Sequence, residues 1–127
     1  MEIAEQAMLR ARDERPNPLR DEKILAGWNG LTISALTQSG FYLQEDDFIF
    51  AAEQSLRFIM SEHYSKGQLY RSVARGLRKE LAMVEDYAAL MRACLDLFSY
   101  GGDPQWLEQA IVLDALVLKK FEDKSAL

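Results

Sequence analysis

Apolar positions recur along most of the chain at the three- and four-residue spacing of a helix, and they predict five helices with no sizeable sheet. The first, about residues 2–13, sets Ile3, Ala7, Met8 and Ala11 on one face. Arg15-Pro16-Asn17-Pro18 stops it, because proline restricts its predecessor and cannot continue a helical ladder. The second, about 21–39, carries the stripe Ile24, Trp28, Leu31 and Ala35, widened by Leu25, Thr32 and Leu36. Ile33 lies opposite, and a helix apolar on two sides is sandwiched between neighbours. After Gly40, Asp46 or Asp47 caps a third helix, about 46–60, with Phe48, Ala52, Leu56 and Ile59 turned inward.

Residues 61–83, with Gly67 and Gly76, read as one long irregular loop in which only Leu69-Tyr70-Arg71 suggests a short strand. A fourth helix, about 85–99, ends at Gly101-Gly102. Asp103 then serves as N-cap and Pro104 takes the first position of a fifth, about 104–122. A weak repeat with an offset of 58 lays Ala35 on Ala93, Tyr42 on Tyr100, Phe48 on Trp106 and Ala52 on Ala110. The expected fold class is therefore all-α: antiparallel helical hairpins in a single domain, 1–127, forming a segment of an incomplete (α/α) toroid.

Composition narrows the function classes. The chain has 127 residues, 49% apolar and 28% charged, the profile of a soluble globular domain. No apolar run approaches the roughly 20 residues of a membrane span, and no signal peptide is evident, so the cytoplasm is the expected compartment. A net charge of −5 argues against a general nucleic-acid binder. Cys94, flanked by Leu90, Leu95 and Phe98, reads as a buried structural thiol, and a lone cysteine makes no internal disulfide. The only histidine, His63, suits a helix C-terminus better than a metal site, and no metal or other cofactor is expected. No P-loop, dinucleotide fingerprint, nucleophile elbow or zinc spacing is present.

Asp21-Glu22-Lys23-Ile24-Leu25-Ala26-Gly27-Trp28-Asn29-Gly30-Leu31 does not read as ordinary helix. A helix built for stability alone avoids Gly27 and Gly30, each costing about 1 kcal/mol relative to alanine. On a wheel Asp21, Leu25, Trp28 and Thr32 share a face, which fits either an acidic first turn over core or a pocket floor. In the pocket reading Trp28 is an aromatic platform, the Asn29 amide recognises hydroxyls and Asp21 stands at the mouth; in the other, Lys23 forms a surface pair and Trp28 fills core. Glu85-Asp86-Tyr87 is the second constellation, either a helix cap or a partner of the first. The repeat sets Asp86 against Trp28 and Tyr87 against Asn29. Arg71, Arg75, Arg78 and Lys79 give the long loop a local positive charge, a solvated surface or a site for an acidic ligand.

Taken together, Arg12, Arg15-Pro16, Asp21-Glu22-Lys23, Leu25, Trp28-Asn29-Gly30-Leu31 and Ile33, followed by Glu85-Asp86-Tyr87-Ala88, resemble the helical domain of the YyaL/spermatogenesis-associated protein 20 family. The resemblance spans nearly the whole chain. It implies a slice of an (α/α) toroid similar to those of N-acylglucosamine 2-epimerases and six-hairpin glycosidases, behind a thioredoxin-like domain outside the matched slice. Two departures stand out: Glu22 where a second aspartate is common, and Asn17-Pro18-Leu19-Arg20 in place of a shorter, often histidine-containing approach.

On that resemblance both motifs face one mouth. Asp21 and Asp86 are then the candidate acid–base pair on a sugar, and Lys23, Trp28, Asn29 and Tyr87 the substrate-binding set. The expected function is carbohydrate binding or processing within a longer protein, with the segment inactive alone. The alternative is a non-enzymatic helical scaffold. An apolar flank left uncovered by missing ring neighbours predicts a homo-oligomer.

Overall fold

The computed structural model describes residues 2–16 and 18–122. Along the chain run α1 (Glu2–Asp13), β1 (Ile24–Leu25), α2 (Ala26–Leu43), α3 (Asp46–His63), β2 (Tyr64–Ser65), β3 (Gln68–Ala74), β4 (Leu77–Leu81), α4 (Val84–Gly101) and α5 (Pro104–Phe121). The segment expected to be a loop is a meander built on β3. β3 pairs antiparallel with β1 (Ile24 on Val73, Leu25 on Ser72), with β2 (Tyr64 on Leu69) and with β4 (Tyr70 on Leu81, Ala74 on Leu77). This four-stranded sheet overturns the all-α, toroid-segment reading.

Local chemistry explains the strands. Two-residue loops, Lys66-Gly67 and Arg75-Gly76, close the hairpins with all four residues at positive φ (51°, 76°, 52° and 73°). That is the type I′ turn, whose twist matches paired strands. β4 is exposed at every position, so Leu77-Arg78-Lys79-Glu80-Leu81 shows no apolar alternation to announce a strand. The second helix also begins later than its periodicity suggests, at Ala26 and not Asp21. Ile24 and Leu25 leave the helix to pair with β3, so Asp21 lies outside the wheel on which it was placed.

The four long helices form two hairpins of matched dimensions. α2, α3, α4 and α5 each have 18 residues, and each helix of the second pair begins and ends 58 residues after its counterpart. The buried core runs through all four, with Ile33, Leu56, Ile59, Leu90, Leu97, Trp106 and Leu113, and Leu69 of β3 closes one end. Cys94 lies within it, and burial pushes its thiol up to about 12. The apolar stripe of α1 meets no such core: Ile3 and Met8 are exposed.

Small residues on α2 make its seam with α4 close. A Cβ on Gly30 would sit 2.8 Å from the carbonyl carbon of Ala89, and one on Gly27 2.6 Å from Oδ1 of Asp86. Further along the seam Asp96 of α4, nearly buried, accepts from Ser34, from Gln38 Nε2 (3.0 Å) and from Arg92 Nε (3.0 Å). A buried carboxylate satisfied by several donors is retained without the penalty of an unpaired charge. The glycines thus answer a packing need that the chain's periodicity does not reveal.

Candidate functional site

Asp86 is the hub of the region where α2, β3 and α4 meet. It is buried, at the first turn of α4, and both its carboxylate oxygens accept hydrogen bonds. Oδ1 accepts the Gly27 N–H at 3.1 Å. Oδ2 accepts the Met83 N–H at 2.9 Å and Arg71 Nη1 at 3.2 Å. One side chain therefore caps its own helix and satisfies an orphan amide at the start of α2. Asp86 holds a geometry, with three of its roughly four acceptor positions committed within the protein.

Arg71 reaches the same place from β3. Its Nη1 also donates to Glu85 Oε1 at 2.7 Å, and that bond, with the nearby Asp86 charge, holds the guanidinium above its ordinary pKa. Around this cluster opens a cleft of about 480 Å³. Leu25, Gly27, Trp28 and Leu31 form one wall, Ala88, Ala89 and Arg92 of α4 the other, and Arg71, Glu85 and Asp86 the end. Trp28 is 70% exposed, a large indole in contact with water at the cleft edge. The volume suits a single small ligand.

Asp21 and Asp86 do not share this space. Asp21 is exposed, its carboxylate receiving the Lys23 N–H at 3.1 Å and facing Lys23 Nζ at 3.2 Å. The backbone hydrogen bond first, then the lysine ammonium, lower its pKa. It lines a second cleft, about 350 Å³, with Lys23, Leu25, Trp28 and Asn29. Trp28 and Leu25 border both clefts, so the indole stands as a ridge between them. Asn29 donates to the Leu25 carbonyl at 2.8 Å, which ties it to its own helix and leaves its amide oxygen. Tyr87 points elsewhere: it is buried, edge-on to Phe121 at 5.8 Å, with Lys120 5.6 Å from its ring.

Of the sequence candidates, then, the first cleft gathers Trp28 and Asp86, the second gathers Asp21, Lys23, Trp28 and Asn29, and Tyr87 belongs to neither. Glu85, Arg71 and Arg92 were not singled out as one site. Arg92 follows Asp86 by six residues on the exposed side of α4, a spacing the sequence offers, whereas Arg71 arrives only through strand pairing. The basic loop does not act as one patch. Arg71 is bound by acids, Arg75 pairs with Glu22 at 2.9 Å and Arg78 donates to the Ser61 carbonyl.

His63 sits behind this region, fully buried at the last residue of α3. Its Nδ1 donates to the Tyr70 carbonyl at 3.0 Å, since a carbonyl oxygen can only accept, and among the described residues the buried Nε2 has no hydrogen-bond partner. Burial, the largest effect, lowers its pKa. It anchors β3 rather than capping α3. Among the described residues no group of three histidine, cysteine or acidic side chains could hold a metal ion, and no helix is long and apolar enough to cross a membrane.

No family model matches the chain. It is similar to an uncharacterised protein of Caenorhabditis elegans, 32% identical across 93% of this chain and 17% of that protein. It is likewise 32% identical to human spermatogenesis-associated protein 20, across 91% of this chain and 16% of the relative, and 30% identical to the rat protein over the same shares. The chain spans about one sixth of the length of the curated relatives it matches. Over most of its length the chain is thus similar to one stretch of the mammalian spermatogenesis-associated protein 20 sequences.

Proposed function

We propose that this chain belongs to the spermatogenesis-associated protein 20 family and contributes a carbohydrate-binding cleft to a longer protein. The exposed indole of Trp28 beside fixed charged groups carries the reading. A sugar presents a C–H face that packs on an aromatic ring, and hydroxyls that need donors and acceptors held in place. Trp28 offers the first, and Arg71, Glu85 and Arg92 the second. Binding is favoured over acid–base chemistry within this segment, because Asp86 is committed to three donors and Asp21 lines a different cleft.

The test is a nitrogen–proton NMR titration of the chain with a panel of neutral, amino, acidic and phosphorylated monosaccharides. Saturable shifts at Gly27, Trp28 and Ala89 are expected, and Trp28→Ala should abolish them. A panel that moves no cleft resonance sinks the proposal.

A second reading, a helical scaffold, is favoured by one observation. Phe41, Tyr42 and Tyr100 cluster at the α2–α4 end with ring centroids 4.7 to 6.0 Å apart, and Phe41 and Tyr42 are exposed. Exposed aromatic patches mark contact surfaces. On this reading the chain self-associates, and Tyr42→Ser should shift its sedimentation profile toward monomer. A wild-type monomer at high concentration would count against it.

A further inference from the structure

Among the described residues, Arg71 makes protein hydrogen bonds through Nη1 alone, to Glu85 and Asp86. Its Nε and Nη2 have no acceptor among the described residues and neither is a buried unsatisfied atom, so both keep contact with solvent, and Arg71 is one of the residues that line the cleft. Those two nitrogens form the side-on edge of the guanidinium, two parallel N–H groups whose spacing matches the two oxygens of a carboxylate. Building on the carbohydrate reading, we infer that the cleft selects a sugar bearing a carboxylate, of the uronic-acid class, held by the free edge of Arg71 with its ring on Trp28.

Three features support this choice. The edge is pre-set: Gly27 and Met83 amides fix Asp86, and Asp86 with Glu85 fixes Nη1, so little side-chain freedom is lost on binding. The charges lining the cleft balance, Arg71 and Arg92 against Glu85 and Asp86, so an anion enters without net repulsion despite the chain's charge of −5. Arg92, which lines the same cleft from α4, makes hydrogen bonds among the described residues through its Nε alone, to Asp96.

Calorimetric titration of the chain with glucuronate, glucose and glucose 6-phosphate tests the inference, with Arg71→Lys as the variant. Lysine keeps the charge and loses the fork. Circular dichroism and the amide spectrum establish that the variant is folded. Glucuronate should bind about tenfold or more tighter than glucose, and Arg71→Lys should remove that preference, as expected for loss of a charge-assisted pair. Equal affinity for glucose and glucuronate overturns the inference and leaves the carbohydrate reading standing, as does a preference that survives Arg71→Lys. Tighter binding of glucose 6-phosphate overturns the carboxylate assignment in favour of a phosphate. No binding of any of the three overturns the inference, and the wider monosaccharide panel then decides the carbohydrate reading. If Arg71→Lys does not fold, titration of wild type with glucuronamide, the neutral isostere, replaces it: binding equal to glucuronate overturns the inference.

Discussion

Asp21, on the approach to β1 and α2, and Asp86, in the first turn of α4, are the same residue type, yet they live under opposite rules. Asp21 is exposed and bonds only to Lys23, two positions along the chain. Asp86 is buried and joins residues 59 and 15 positions away, on α2 and β3. The first interaction is local and bathed in water, where ion pairs contribute little. The second removes a charge from solvent and repays it with three donors, so every partner depends on the others. Neighbourhood, more than residue type, decides what a carboxylate does.

Breaking the hub should have the largest effect. Asp86→Ala leaves the Gly27 and Met83 amides without their partner and should cost about 3 kcal/mol or more, read from urea denaturation. Gly27→Ala comes next. Its new methyl must displace Asp86 Oδ1 from 2.6 Å, and overpacking of this kind costs about 1–3 kcal/mol. The same denaturation series checks it, and a neutral result would mean that the seam opens freely.

Acidity gives a smaller, graded effect. His63 has a folded-state pKa below its ordinary 6.5, so the unfolded chain takes up the proton first as pH falls. Stability should be full above about pH 6.5 and decline below it, towards the lower folded value. His63→Gln should flatten that part of a stability–pH curve. Smallest is Asp21→Asn, with no measurable change in the denaturation midpoint at neutral pH. Since Asp21 is also depressed, its contribution is lost only as pH falls below its ordinary 3.8. A large Asp21→Asn effect at neutral pH would erase the contrast between the two acids.

What the sequence made legible follows the range of the interactions. The helices and the Asp103-Pro104 start of α5 depend on residues within a turn or two, the offset of 58 shows when the chain is laid on itself, and the structure carries them. Trp28 and Asp86 were visible as oddities. The sheet was hidden because β4 is exposed along its whole length and β1 is two residues inside a helical rhythm. Its turns did leave a mark: Lys66-Gly67 and Arg75-Gly76 each close a hairpin, and a reading alert to residue–glycine pairs between short runs would have found it. Arg71 left none, since only strand pairing carries it to Glu85.

The bond from Gly27 to Asp86 also has a kinetic meaning. It links the first helix of one hairpin to the first helix of the other, so neither pair can loosen at that end alone. The amides of Gly27 and Met83 share one acceptor group and should exchange their hydrogens with solvent through the same opening event. Two units that look like copies of each other thus behave, at this end, as one unit of motion.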